Sequence, residues 1–423
     1  IVCSAIITLT LQKDREWKFL WKNLSFLPVF QRKICKASSG SEVWRKVIRR
    51  RVMKQEWIEE LETPCIVIDM EKTKKNIQMT QEAADRYGCK LRPHIKTHKM
   101  PLFARMQIEA GADGITCAKV SEAEVMADGG LDDIFIAYPL VGKPKIQRAI
   151  ALLKKVKRLI LAVDSMECAS ALNEAAREAG VCLEVRMEVD TGAKRTGVVR
   201  EHAVELAKNL SVLSNLKLTG IYTFKSLVYK DEPTQDKVIA GQEEGELMEE
   251  LTRAIREAGI GLQDISAGST PTGEEVAKTG KVTEIRPGTY IFKDYMLCKE
   301  GAAVYEDIAV RYYATVVSTP CKEYAVIDGG TKTFPMDILL DTEPYHYPGY
   351  ALVEGNEDLQ LRRMNEEHGI LTSKKGDTGL KVGDKVVLVP IHVCTAINMQ
   401  NTVYIDYGDC LQKEPVKARG MLV

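Results

Sequence analysis

Short apolar runs alternate with segments of helical period from about residue 65 to residue 299, and this alternation restricts the fold more than any other feature. Pro64-Cys-Ile-Val-Ile-Asp-Met70 is a short, continuous apolar run of the kind buried on both faces. A helical stretch follows, with apolar or small residues at Ile77, Thr80, Ala83, Ala84 and Tyr87, and Gly88 stops it. The same reading predicts strands at 91–96, 114–118, 133–139, 158–163, 182–190, 216–224 and 264–269. Helices are expected at 100–110, 144–155, 166–179, 202–209 and 242–258, several of them ended by a glycine such as Gly111, Gly180 or Gly259. Eight such units argue for a parallel α/β fold, and a (β/α)8 TIM-type barrel accommodates them. A doubly wound sheet is the alternative, but no GxGxxG follows the first strand.

The rhythm changes near residue 300. Segments 307–318, 324–328, 385–389 and 402–407 read as strands and helix signals are few, so a β-rich C-terminal domain is expected over 300–423 behind a barrel domain over 53–299. The 423-residue length suits two domains. Residues 1–52 contain no Met, and their opening apolar run is too short to span a bilayer and lacks a basic segment before it. They are read as an extension outside the fold, with Met53 as the natural start. The basic cluster Arg45, Lys46, Arg49, Arg50, Arg51 and Lys54 leaves a targeting arm as the other reading.

Charge argues about partners. Lys plus Arg and Asp plus Glu each number 59, so nothing global favours nucleic acid or an anionic membrane. The eleven cysteines are odd in number and contain no CxxC, which fits a reducing compartment, the cytoplasm, better than a disulfide scaffold. Most of them are expected to be small core residues.

Candidate chemistry sits at predicted strand ends, where a barrel builds its site. The second predicted strand ends Arg92-Pro-His-Ile-Lys-Thr-His-Lys99. A lysine there can be desolvated, which lowers its pKa and frees an amine for Schiff-base chemistry, although most lysines are simply solvated. Val189–Gly197 follows the sixth predicted strand, and its glycines can deliver Arg195 to a ligand oxygen. Ile265–Thr272 follows the eighth and offers small and hydroxylated residues for a phosphate cradle. Either loop read alone is equally a solvent-facing turn. In Pro390-Ile-His-Val-Cys394, a strand would turn His392 and Cys394 to one side, where they could share a divalent ion.

Several blocks, in order from about residue 57 to the end, together resemble the D-serine dehydratase/D-threonine aldolase family of alanine racemase-like enzymes. They are Thr63-Pro64 with the strand to Asp69, Arg92–Lys99, Cys117–Val125, Asp190–Gly197, Arg286-Pro-Gly-Thr-Tyr290, Glu366-Glu-His-Gly369 and Pro390–Cys394. The resemblance implies pyridoxal 5′-phosphate (PLP) as cofactor. It implies Lys96 as the lysine that forms the internal aldimine and Arg195 as the arginine reaching the cofactor's phenolic oxygen. Gly268 and Ser269 match the phosphate loop, Tyr222 and Tyr290 fall near cofactor positions, and His392 with Cys394 match a zinc pair, Mn2+ being another candidate metal. His368 is assigned by the same likeness to a supporting position.

The resemblance further implies a β-hydroxy D-amino acid as substrate and a homodimer; the balanced charge has already argued against a membrane or nucleic-acid partner. Two routes need the same parts: dehydration of D-serine or D-threonine to a 2-oxo acid and ammonia, or aldol cleavage of D-threonine or 3-hydroxy-D-aspartate to glycine and an aldehyde. The HxC pattern resembles the dehydratase branch more than aldolases with a carboxylate at the second ligand position. A racemase and a PLP-binding protein without turnover are the remaining readings. Departures from the family fall at Tyr222–Tyr229 and at Ser266-Ala-Gly-Ser-Thr-Pro-Thr272, where substrate and phosphate would lie.

Overall fold

The computed structural model describes residues 57–423; the expectations for residues 1–52 lie outside the described residues. Eight parallel strands follow one another around a barrel: Lys90–Leu91, Ile115–Cys117, Asp133–Pro139, Arg158–Val163, Leu183–Asp190, Leu216–Tyr222, Asp264–Ala267 and Glu284–Ile285. Parallel pairing of Glu284 with Lys90, and a bridge between His94 and Thr116, close the ring. The strand-to-helix rhythm is thus a TIM-type barrel, as expected.

The count of eight was reached with the wrong members. Cys65–Asp69 does not enter the barrel. It pairs antiparallel with Val310–Ser318 and parallel with Thr402–Asp406, in the middle of the second sheet. The missing barrel strand is Glu284–Ile285, and the lysine-bearing loop therefore follows the first barrel strand rather than the second. An apolar run reads the same way in either sheet, because both are covered on two sides. Glu284 hid the true eighth strand: its carboxylate is fully buried inside the barrel, where it accepts from Arg92 Nε (2.8 Å), Arg186 Nη1 (2.6 Å) and Ser266 Oγ (2.5 Å).

The second sheet has nine strands, ordered Tyr324–Ile327, Gly369–Ser373, Leu359–Met364, Ala351–Val353, Lys385–Pro390, Val310–Ser318, Cys65–Asp69, Thr402–Asp406 and Leu411–Pro415. A further pairing of Val310–Ser318 with Tyr324–Ile327 closes its first six strands into a small, largely antiparallel barrel. The β-rich C-terminal region is as expected, with the N-terminal strand crossing over to join it.

Two cores result. One lies between the parallel strands and their helices, with Ile134, Leu161, Val185, Leu206 and Ile265 among its members. The other fills the second sheet and takes in Ile66, Ile68, Tyr290, Phe292 and Leu388. The helices that pack the first core behave locally as their sequences direct. Met166–Ala179 begins on Ser165, whose hydroxyl accepts from Cys168 N, and ends on Gly180 at φ 66°, the left-handed turn that glycine tolerates best. The nine described cysteines are unpaired, but only Cys65, Cys89, Cys117 and Cys168 are buried, fewer than a core role for most of them would require. No helix among the described residues is long and apolar enough to cross a membrane.

Candidate active site

The mouth of the parallel barrel opens into a cavity of about 280 Å³, whose lining draws on residues from 94 to 394. The strand-end rule supplies one wall. After Leu91 the chain runs through His94 and turns, so that Lys96 lies in the turn rather than on a strand. His98 and Lys99 donate their backbone N–H groups to the Ile95 carbonyl and tighten that turn. Burial pushes the Lys96 amine below its ordinary pKa; Cys394 opposes the shift and Arg195 adds to it. His94 is held neutral, its pKa driven down by burial and then by Lys96, and its Nδ1 accepts from the Lys96 backbone N–H at 3.3 Å.

Lys96, Arg195, Tyr222, Gly268, Ser269, His392 and Cys394 all line this one cavity. Tyr290 does not. Its ring is buried in the core of the second sheet, and its hydroxyl accepts from Gln107 Nε2 at 2.9 Å. His368 is exposed in the turn between Leu359–Met364 and Gly369–Ser373, away from the lining.

Tyr222 ends its strand with its hydroxyl donated to Glu188 Oε2 at 2.9 Å, and Thr196 Oγ1 donates to the other oxygen at 2.9 Å. Burial raises the Glu188 pKa. The Arg286 guanidinium, also in the wall, donates to Ser266 Oγ and to the Thr223 carbonyl, each at 2.6 Å. Phe224 is approached by two cationic side chains: its ring centroid is 4.5 Å from Arg195 Cζ and 5.6 Å from Lys96 Nζ.

The turn after Asp264–Ala267 is built otherwise than a cradle of free backbone amides. Gly268 takes φ 82°, its N–H donates to the buried Glu244 at 3.0 Å, and Ser269 N donates to Thr272 Oγ1 at 3.1 Å. The hydroxyl-bearing residues Ser226, Ser269 and Thr270 are among those that line the cavity here.

His392 and Cys394 reach the cavity by a route the strand argument did not foresee. The strand Lys385–Pro390 stops, His392 caps the helix Val393–Asn398, and Cys394 lies in that helix's first turn. His392 Nδ1 lies 2.6 Å from Asp337 Oδ2, which also accepts from Thr395 Oγ1 at 2.7 Å. Burial opposes a charge on His392, but Asp337 and Cys394 outweigh it and hold the imidazole pKa up at about 11. The Cys394 thiol is raised by burial and lowered more by His392 and Lys96, so the net shift is down. Among the described residues no group of three His, Cys, Asp or Glu side chains assembles a metal site; the His392–Cys394 pair stands without a third such ligand.

Sequence reasoning did not single out Glu188, Phe224, Asp294, Glu300 or Asp337. Arg286 stood in a quoted block without a role. Phe224 lay in the departing segment Tyr222–Tyr229 without a role, and the carboxylates lay in no quoted block, so their place at the cavity depends on the tertiary fold.

Comparison with known proteins agrees with this architecture. The family described as alanine racemase, N-terminal domain, matches residues 68–296, and the putative serine dehydratase domain matches 309–405. D-threo-3-hydroxyaspartate dehydratase of Delftia sp. (strain HT23) is 32% identical over 352 residues, covering 79% of this chain and 91% of that protein. D-threonine aldolase of Arthrobacter sp. is 29% identical, covering 82% of this chain and 89% of the relative. The crystal structure of D-threonine aldolase from Filomicrobium marinum superposes with a TM-score of 0.76 at 25% identity, over 86% of this chain and 97% of that one.

Proposed function

From the premise that this chain belongs to the D-serine dehydratase/D-threonine aldolase family of alanine racemase-like proteins, we propose that it is a PLP-dependent lyase of D-amino acids, and specifically a metal-assisted dehydratase of D-serine or D-threonine. The observation that carries the reading is the convergence of Lys96 with His392 and Cys394 on one cavity, with Thr97 Oγ1 only 3.1 Å from Cys394 Sγ.

The donor set fits the cofactor. A buried amine of lowered pKa suits an aldehyde, Arg195 suits a phenolate oxygen, and the hydroxyls of Ser226 and Ser269 beside Arg286 suit a phosphate. Lys96, Arg195, Tyr222, Gly268 and Ser269 would hold it. His392 and Cys394 supply one nitrogen and one sulfur, a pair that suits zinc and leaves positions for water or a substrate oxygen. When bound, PLP supplies an electron sink at Cα, and the metal supplies a Lewis acid at the β-oxygen.

The chain's own residues then have defined tasks. Lys96 would hold the proton taken from Cα. Its burial makes it a base at a pH where a solvated lysine would be protonated. His392 and Cys394 face the β-oxygen, and Asp337 fixes the imidazole ring. Tyr222, tied to Glu188, and Phe224 form walls that limit water.

Aldol cleavage is the second reading, favoured by the likeness to the Arthrobacter and Filomicrobium aldolases. Product analysis separates them. The protein loaded with PLP and zinc and given D-threonine should yield 2-oxobutyrate and ammonia. Glycine and acetaldehyde in their place would reverse the assignment. We also read the active form as a homodimer, which a monomer in gel filtration at micromolar concentration would overturn.

A further inference from the structure

The cavity is electrically divided. Its lysine end carries Lys96, Arg195 and Arg286. At the His392 end the wall carries Cys394 and the carboxylates Asp294 and Glu300, with Asp337 beside His392. Asp337 is engaged by His392 and Thr395. Asp294, 1% exposed, accepts from Leu297 N and Val393 N, each at 3.0 Å. Glu300 differs from both. It lines the cavity just past the helix Tyr295–Lys299, and the influences on its carboxylate are burial, then Asp294 and His392, with no hydrogen bond among them. The adjacent Lys299 is exposed, its ammonium 5.9 Å from the Tyr295 ring centroid.

In the orientation proposed above, the amine of the substrate meets Lys96 and its β-oxygen meets His392 and Cys394. The β-substituent must then extend among Asp294, Glu300 and Met296. We propose that Glu300 is a specificity-determining residue: it admits β-hydroxy D-amino acids whose β-substituent is hydrogen or an uncharged group and rejects those with a second carboxylate there. The inference rests on the substrate orientation of the preceding subsection. Its physical basis is like-charge repulsion in a partly desolvated site, strengthened by the second carboxylate of Asp294 behind Glu300. Burial and Asp294 raise the Glu300 pKa to about 7, so the repulsion acts in full only above that pH, where the carboxylate is ionised.

The test is equilibrium binding followed by absorbance. PLP-loaded, metal-stripped protein is titrated with D-threonine and, separately, with D-threo-3-hydroxyaspartate, so that affinity is read without turnover. At a pH well above 7, where Glu300 is ionised, wild type should bind D-threonine at least about tenfold more tightly than the dicarboxylate. Glu300→Gln should reduce that ratio about tenfold, whereas Glu300→Asp, which keeps the charge, should retain most of it. Thermal melts of both variants check that they fold. Equal affinities in wild type, or an unchanged ratio in Glu300→Gln, overturn the role of Glu300 and leave the lyase reading intact. A cofactor band that responds to neither amino acid overturns both.

Discussion

Thr97 Oγ1 lies 3.1 Å from Cys394 Sγ, across 297 residues of chain. The residue next to Lys96 therefore touches the second member of the His392–Cys394 pair, and Thr289 Oγ1 approaches the same sulfur at 3.4 Å. The turn after the first barrel strand and the helix after the last strand of the small barrel meet at one sulfur atom. Under the proposed function, such a joint would let an amine and a nitrogen–sulfur pair act on adjacent carbons of one small substrate.

The first prediction concerns the amine. Lys96→Ala should abolish the visible absorbance of lysine-bound PLP and lower turnover of D-serine or D-threonine by at least about 10³. Absorbance and ammonia release measured on one preparation check both parts. A variant that keeps the wild-type band would remove Lys96 from its assigned role.

The second concerns the histidine. Asp337 lies 2.6 Å from His392 Nδ1 and so directs Nε2 of the ring. Asp337→Asn should weaken zinc binding about 10- to 100-fold, read by competition with a chromogenic chelator, while leaving PLP binding in place. Zinc affinity equal to wild type would mean that Asp337 does not orient a metal ligand.

The third follows from Tyr290, an assigned cofactor residue that the cavity excludes. Tyr290→Phe removes the hydroxyl that accepts from Gln107 in the core. It should leave PLP affinity within about twofold of wild type and cost about 1–2 kcal/mol of stability, because a buried donor loses its partner. A denaturant melt and a PLP titration read the two effects. Weakened PLP binding without loss of stability would return Tyr290 to the cofactor.

What could be read in advance divides along physical lines. The apolar runs of Asp133–Pro139 and Arg158–Val163 and the amphipathic Met166–Ala179 are local signals, and each formed as expected. That Lys96 would line the barrel mouth was legible because the turn after a barrel strand is a local position with a known use. The sheet that Cys65–Asp69 joins was not, since burial on both faces says nothing of the neighbour. Glu284–Ile285 was hidden because its carboxylate breaks the apolar pattern, and the two arginines that compensate it stand 98 and 192 residues away. His392 and Cys394 do reach one cavity, but from the start of a helix rather than from a strand. Glu300 and Asp294 carried no signal, because a carboxylate becomes part of a pocket only when distant segments close around it.

The last prediction tests that hidden strand. Burial alone would raise the Glu284 pKa, but Arg186 and Arg92 at hydrogen-bonding distance hold it well below the usual carboxylate range. In the unfolded chain the same carboxyl titrates near about 4.3. Above that pH both states are ionised and the ion network contributes its full stabilisation. As pH falls through about 4 the unfolded state gains a proton that the folded state refuses, and the contribution is lost progressively toward the folded pKa. Glu284→Gln leaves two buried guanidinium groups short of a counter-charge, although Asp264 and Asp133 still reach them at 2.9 and 2.5 Å. The cost at pH 7 should be about 3–5 kcal/mol. Chemical denaturation of wild type and variant from about pH 3 to pH 7 should give curves that converge toward the acid end, because only the wild type loses this stabilisation on protonation. Parallel curves over that range would show that Glu284 is not the charge that ties the last barrel strand to its neighbours.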